Sequence, residues 1–267
     1  MQLLFGFLLG AAIGASAWRI GSLSASGAFA AAFTGGLVFG LGGLPWAVLL
    51  LAFFISSSLL SRIFGTRKSA LNEKFSKGGR RDWAQVLANG GLGAMLAVIY
   101  NLSGNPSWAW VAFAGAMAAV NADTWATEIG VLSPAAPRLI TNGKSVERGT
   151  SGAISATGNL AVLGGAGLIG IAAGTFSPPD SFLIILAVTI VGGICGALFD
   201  SFLGANLQAI YYCPSCQKET ERHPRHICGS QTNHLRGREW LNNDLVNFAC
   251  SAVGAGVAAG LWLVFFQ

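Results

Sequence analysis

Apolar residues run in long blocks along this chain, and polar residues come in short clusters between them. A helix that spans a bilayer needs about 20 mostly apolar residues. Runs of that kind cover residues 2–17, 27–43, 45–61, 83–102, 107–129, 151–173, 181–203 and 243–266. The pattern predicts an all-α, polytopic integral membrane protein of about eight transmembrane helices, forming a single membrane domain over residues 1–267. The second and third runs are short, and Gly42, Gly43 and Pro45 between them would also suit a helical hairpin. Ala15-Ser16-Ala17 has the small residues of a cleavage site, but no basic segment precedes the first run and Arg19 follows it. We read it as an uncleaved first helix.

Composition agrees with the pattern. Only 10% of the residues are charged, against about 25% in a soluble domain, so lipid must cover much of the surface. The 37 glycines follow no collagen-like or solenoid period. Spread with Ala through apolar runs, they suit helices that approach closely. The net charge of +5 is not a nucleic-acid footprint, because the cations sit between hydrophobic segments.

All 16 Lys and Arg fall in four places: Arg19, the 62–81 loop, the 138–148 loop and the 218–238 loop. With eight spans these lie on one face, while the other face carries one charged side chain, Asp180. The positive-inside rule then puts the charged face in the cytoplasm and both termini outside. For a bacterial chain this means the inner membrane. The basic 62–81 loop (Arg62, Arg67, Lys68, Lys74, Lys77, Arg80, Arg81) serves orientation and attraction to anionic lipid, or covers a polyanionic substrate.

Several helices carry groups that are expensive in lipid. Asn89 lies in the fourth run, Asn121, Asp123, Thr124 and Glu128 end the fifth, Asp200 lies in the seventh with Gln208 beyond it, and Asn243, Asp244 and Asn247 open the eighth. An Asp at a helix centre costs roughly 2.5–3.5 kcal/mol on insertion scales, so such groups turn inward and find partners. Helical spacing puts Asn121, Thr124 and Glu128 on one stripe and Asp123 with Thr127 on the next. All lie toward the charged ends of their helices, which predicts a shared polar pocket there. Hydrogen bonding between helices would account for the amides and hydroxyls. It accounts less well for converging acids, which repel unless protonated or bridged by a cation. Mg2+, held by Asp123 and Asp200, is the economical bridge, and it favours phosphate chemistry.

The stretch from Arg138 to Gly152 supplies the complement. Gly149-Thr150-Ser151-Gly152 before an apolar run offers free N–H groups and hydroxyls for an anion, with Lys144 and Arg148 adding charge. Thr150 or Ser151 would equally serve as a simple N-cap. The lysine precedes the glycines, so this is no Walker A loop. Downstream, Cys213-Pro-Ser-Cys216 followed by His226 and Cys228 has ordinary spacing for a structural Zn2+ site, with His223 or His234 as substitutes. A disulfide is disfavoured in a loop that faces the cytoplasm. This loop, residues 204–241, would close over the pocket.

Six motifs, in order, carry a resemblance over about residues 80–250. They are Gln85-Val-Leu-Ala-Asn89-Gly, Asn121-Ala-Asp123-Thr-Trp-Ala-Thr-Glu128-Ile-Gly130, Lys144…Gly149-Thr-Ser-Gly152, Asp200-Ser…Gly204-Ala…Gln208, Cys213-x-x-Cys216 and Trp240-Leu-Asn-Asn-Asp244-Leu-Val-Asn247. Together they resemble the integral membrane family that includes plant phytyl-phosphate kinase and animal transmembrane protein 19. A looser likeness runs to dolichol kinases and CDP-diacylglycerol synthases. The resemblance implies an enzyme that phosphorylates an isoprenyl monophosphate, such as phytyl or geranylgeranyl phosphate, from a nucleoside triphosphate such as CTP. Asp123, Glu128, Lys144, Asp200 and Asp244 would then be catalytic, and Asn89, Asn121, Thr124, Arg148, the 149–152 loop, Gln208, Asn243 and Asn247 would bind substrate. One position departs from the family's pattern: Glu147 stands where Pro is expected. A CTP-dependent nucleotidyltransferase would use the same groups, and an ion or small-molecule transporter is the rival of another class.

Overall fold

The computed structural model describes residues 1–65, 73–75 and 79–266. Arg67, Lys68 and Lys77 of the basic loop lie outside the described residues. Among the described residues eight long helices follow one another: α1 (Gln2–Arg19), α2 (Ala25–Gly42), α3 (Leu44–Phe64), α4 (Trp83–Leu102), α5 (Ser107–Gly130), α6 (Ala156–Thr175), α7 (Phe182–Asn206) and α8 (Asn243–Phe266). The boundaries of α4 and α8 are those the hydrophobic pattern predicts. The second and third runs are separate helices, joined at Gly43, whose φ of +81° is open to glycine without strain.

Among the described residues, seven helices are long and apolar enough to cross a membrane. The eighth, α5, falls short because its surroundings are protein rather than lipid. Every residue from Val111 to Ala122 is buried, and α3, α4, α6, α7 and α8 pack around it. An enclosed helix gains from small residues that admit its neighbours, and α5 is built of Ala and Gly at the expense of hydropathy. The same logic seats α8: a Cβ on Gly115 of α5 would lie 2.5 Å from the Ala258 side chain, and one on Gly254 2.6 Å from the Gly115 carbonyl. At the periphery, Gly6, Gly10 and Gly14 form a buried stripe on α1 against Ala28, Ala32 and Gly36 of α2.

The two ends of the bundle differ. At one end Trp46 packs on Phe113 (4.4 Å between centroids), Tyr100 (5.0 Å) and Trp110 (5.8 Å), while Trp262 donates to Ser107 Oγ at 3.2 Å. At the other end Trp18, Trp83 and Trp240 are exposed. Tryptophan at both ends matches the two aromatic belts of a membrane protein. The loops at this second end carry the charge and most of the non-helical structure. A two-stranded ribbon pairs β1 (Arg138–Leu139) with β2 (Ala153–Ile154). A three-stranded antiparallel sheet, ordered β4-β3-β5, is made of β3 (Ile210–Cys213), β4 (Lys218–Thr220) and β5 (Asn233–Arg236).

Candidate active site

The four basic segments meet at this charged end. The α1–α2 connection pairs with the start of α4: Ser24 N donates to Arg81 O and Arg81 N to Ser22 O. Residues 73–75 bridge the other two loops. Lys74 Nζ donates to Glu147 Oε2 at 2.8 Å and to Arg148 O at 3.1 Å, Glu221 N donates to Lys74 O at 2.8 Å, and Lys218 pairs with Glu73. Glu147 thus ties the 138–152 loop to the basic loop. The hydrogen bond from Lys218 holds the Glu73 carboxyl below its ordinary range, and that from Lys74 does the same for Glu147. These contacts are therefore present at neutral pH and are lost only as pH falls through those lowered values. Exposed pairs of this kind contribute little to stability; their effect is to hold three loops together.

Beneath the bridge lies a cavity of about 400 Å³. Asn89 of α4, Asp123, Thr124 and Glu128 of α5, Arg148 and the 149–152 loop, Asp200 of α7, and Asn243 and Asn247 of α8 all line it. One carboxylate oxygen of Asp200 is buried with no hydrogen-bond partner among the described residues, and Asp123 and Glu221 are the acids whose charges act on it. Oxygen donors gathered this way repel one another until a cation or protons arrive, and hard divalent cations take such oxygens. Glu128 is differently placed, its Oε1 accepting from Ser61 Oγ at 2.8 Å. The Arg148 guanidinium donates to the carbonyls of Ser133 (2.6 Å) and Pro134 (3.2 Å).

The 149–152 loop is not the start of α6, as the sequence led us to expect. Gly149 (φ +78°) and Gly152 (φ +79°) take left-handed conformations that interrupt any helix, and β2 intervenes. The N-cap is Ser155, whose Oγ accepts from Gly158 N at 3.1 Å. Both Ser155 and Gly158 line the cavity, so the N-terminus of α6 still faces it. Gly204 and Gly152 let α7 and the loop touch: a Cβ on Gly204 would lie 2.7 Å from Ser151 Oγ, and one on Gly152 would collide with the backbone of Ala205.

Four expected residues lie off the cavity wall. Lys144 is exposed at the tip of the β1–β2 ribbon, where Leu139 N donates to its carbonyl. Asn121 is fully buried, donating to Gly165 O at 2.8 Å and accepting from Ser56 Oγ at 3.0 Å, which ties α5 to α6 and α3. Gln208 is also buried; it accepts from Ser151 Oγ at 2.8 Å and donates to Glu221 Oε1 at 2.9 Å, so it positions two residues that do line the cavity. Asp244 stands beside the lining pair Asn243 and Asn247 without lining the cavity itself. Sequence reasoning missed Gln85, Ser155, Asn159 and Glu221 as lining residues, and it left Arg81 among the loop cations. The Asp82-x-x-Gln85 capping box at the start of α4 is a signal that could have placed Arg81 and Gln85.

The Cys/His loop forms a compact cluster. Ligand atoms of Cys213, Cys216, His226 and Cys228 lie within 4.8 Å of one another, with His226 Nδ1 3.2 Å from Cys228 Sγ and 3.5 Å from Cys216 Sγ. This set could hold a metal ion. The substitutes are otherwise engaged: His223 stacks on Tyr211 at 4.4 Å, and His234 meets the same ring edge-on at 5.7 Å. Hydrogen bonding with Cys228, then burial, then Cys213 push the Cys216 thiol up to about 11. A cation that takes the Cys216 sulfur as thiolate must therefore displace its proton. Purified without chelator, the protein should hold close to one zinc per chain. Replacing Cys213 and Cys216 by Ser should remove the metal and speed protease nicking in residues 205–240. Metal analysis finding none in the wild type would rule zinc out.

These features define a polytopic integral membrane protein with a polar cavity at one end of its bundle. The chain belongs to the family described as integral membrane protein DUF92, whose pattern matches residues 8–255. It is 32% identical to Protein PGR of Arabidopsis thaliana over 92% of this chain and 91% of that protein. An uncharacterized membrane protein of Methanocaldococcus jannaschii is 38% identical over 61% of this chain and 65% of its own length. Protein VTE6, chloroplastic, of Arabidopsis thaliana is 29% identical over 88% of this chain and 64% of that protein. No solved structure matches the chain.

Proposed function

We propose that the protein is a membrane kinase that transfers the γ-phosphoryl group of a nucleoside triphosphate, CTP by the family resemblance, to an isoprenyl monophosphate. The observation that carries this reading is the meeting of Asp123 and Asp200 with a Gly-Thr-Ser-Gly loop, a helix N-terminus and Arg148 around one cavity. The substrate class comes from the resemblance to the family that includes plant phytyl-phosphate kinase, supported by the identity to Protein VTE6.

An oxygen of the lipid monophosphate attacks the γ-phosphorus. The bond to the β–γ bridging oxygen breaks, and the nucleoside diphosphate leaves with that electron pair. The acceptor is already an ionised phosphate, so the chain needs no strong general base. Catalysis then consists of holding two polyanions in line and offsetting the charge between them. The N–H groups and hydroxyls of residues 149–152, the α6 N-terminus and Arg148 do this on the nucleotide side. Asp123 and Asp200 would hold Mg2+, which when bound screens the phosphate oxygens.

Kinase and nucleotidyltransferase differ in the phosphorus attacked. With purified protein, label from γ-labelled nucleotide should enter the lipid, and label from α-labelled nucleotide should not. Lipid labelled from the α position would make the protein a nucleotidyltransferase. A transporter would need polar groups through the other half of the bundle, where Trp46, Tyr100, Trp110 and Phe113 pack instead.

The cavity faces the cytoplasm in this reading, with both termini outside, since the cations gather at its end. In a background lacking the native cysteines, Gly104→Cys and Ser177→Cys should react with an impermeant thiol reagent added to intact cells. Asn142→Cys should not. The reverse pattern would invert the orientation.

A further inference from the structure

A second cavity, of about 90 Å³, lies between the α1–α2 pair and helices α3 and α4. Its wall is almost wholly apolar, with Leu9, Ile13, Leu50 and Phe54 among its side chains, except at one end. There Arg81, Gln85 and Asn89 close it, and the same three side chains also line the polar cavity. An apolar slot and a polar site thus share one wall, and a cation stands in that wall.

We infer that this slot seats the first isoprene unit of the acceptor lipid, with its phosphate at Arg81 facing the polar cavity and the rest of its single chain running out into the bilayer. This rests on the kinase reading above and names where the acceptor binds.

Three observations carry it. The Arg81 guanidinium lies 5.7 Å from the Phe53 ring centre and 5.8 Å from that of Phe54, and donates to Ser58 Oγ at 3.1 Å. It has no carboxylate within ion-pair distance among the described residues. A half-buried cation set against two rings, with one hydroxyl as a side-chain hydrogen-bond partner, is costly, and an anion beside it relieves the cost. Burial pulls the group below its ordinary range, and Glu128 is the acid that opposes this.

The second observation is size. A cavity of about 150 Å³ takes a benzene molecule of six carbons. By that ratio the slot, at about 90 Å³, takes about four carbons of one chain, the head-proximal part of an isoprene unit, and cannot take two acyl chains. Leu9 on its rim is 44% exposed, which leaves a way out to lipid for the remaining chain. The third is Gly35, which lines the slot. A Cβ built there meets nothing nearer than Gly10 Cα at 4.0 Å, so this glycine leaves space where Gly6 and Gly10 serve tight packing. Recognition would therefore select a one-chain lipid phosphate at its head-proximal carbons and be indifferent to length beyond them.

The test uses the full-length protein in lipid with a geranylgeranyl phosphate analogue that carries a photoactivatable diazirine in its first isoprene unit. Crosslinks should map to α1, α2, α3 and α4 residues of the slot, and geranylgeranyl phosphate should compete while a two-chain phosphatidate should not. Gly35→Leu should abolish those crosslinks and raise KM for the prenyl phosphate by roughly tenfold or more, leaving KM for the nucleotide unchanged. Gly167→Leu, on α6 where a Cβ meets nothing within 4 Å, should change neither. Crosslinks elsewhere with turnover intact would overturn the slot and leave the kinase standing. Slot crosslinks without turnover would sink the kinase reading alone. Equal competition by phosphatidate would overturn the single-chain selectivity.

Discussion

Gly152→Ala is expected to lower turnover about 10²-fold or more while the eight-helix bundle stays folded. Two costs coincide at this residue. Its φ of +79° penalises any L side chain by roughly 1–2 kcal/mol. A Cβ there would also collide with the backbone of Ala205 at the end of α7, so the loop or the helix end must move. Asp200 stands on that same helix, and Ser151 is held by Gln208, so a shift of even 1 Å separates the anion loop from the acids. Misplacement on that scale costs about 10²-fold in well-oriented reactions. Gly143→Ala is the control. That position also has a positive φ, +68°, but nothing lies within 4 Å of a Cβ built on it. It carries the backbone cost alone and should leave turnover within a few-fold of wild type. Melting curves and turnover measured on the two variants together check this. Equal losses in both would mean that the contact with Ala205 is unimportant.

How much of this was legible beforehand follows from what each signal depends on. The bundle was readable because a bilayer demands continuous apolar runs, and the charged end because cations cannot be left within it. The converging acids were readable for the same reason: Asp123 and Asp200 are too costly in lipid to be incidental. Lys144 and Arg81 show where reading fails. Both are cations in basic loops, and only tertiary structure decides that the ribbon turns Lys144 outward while the start of α4 turns Arg81 in. Glu221 gave no sign at all, being an acid in a polar loop that docks through Lys74 and Gln208. Asn121 and Gln208 were found as buried polar groups, yet hydrogen bonding alone occupies them. The start of α6 was misread because Ser151 and Ser155 both suit an N-cap, and the left-handed turn at Gly152 chooses between them.

Asp123→Asn and Asp200→Asn test the central claim most directly. Each keeps the shape of the side chain and removes one carboxylate from the place where the charges of Asp123 and Glu221 act on Asp200. Removing a preorganised electrostatic partner costs roughly 10²–10³-fold in rate. Purified in lipid and given Mg2+, a nucleoside triphosphate and geranylgeranyl phosphate, the wild type should form the prenyl diphosphate. Both variants should fold, bind the prenyl phosphate and lose turnover by at least about 10²-fold. If both keep wild-type rates, the acids serve only the fold, and phosphoryl transfer at this cavity is contradicted.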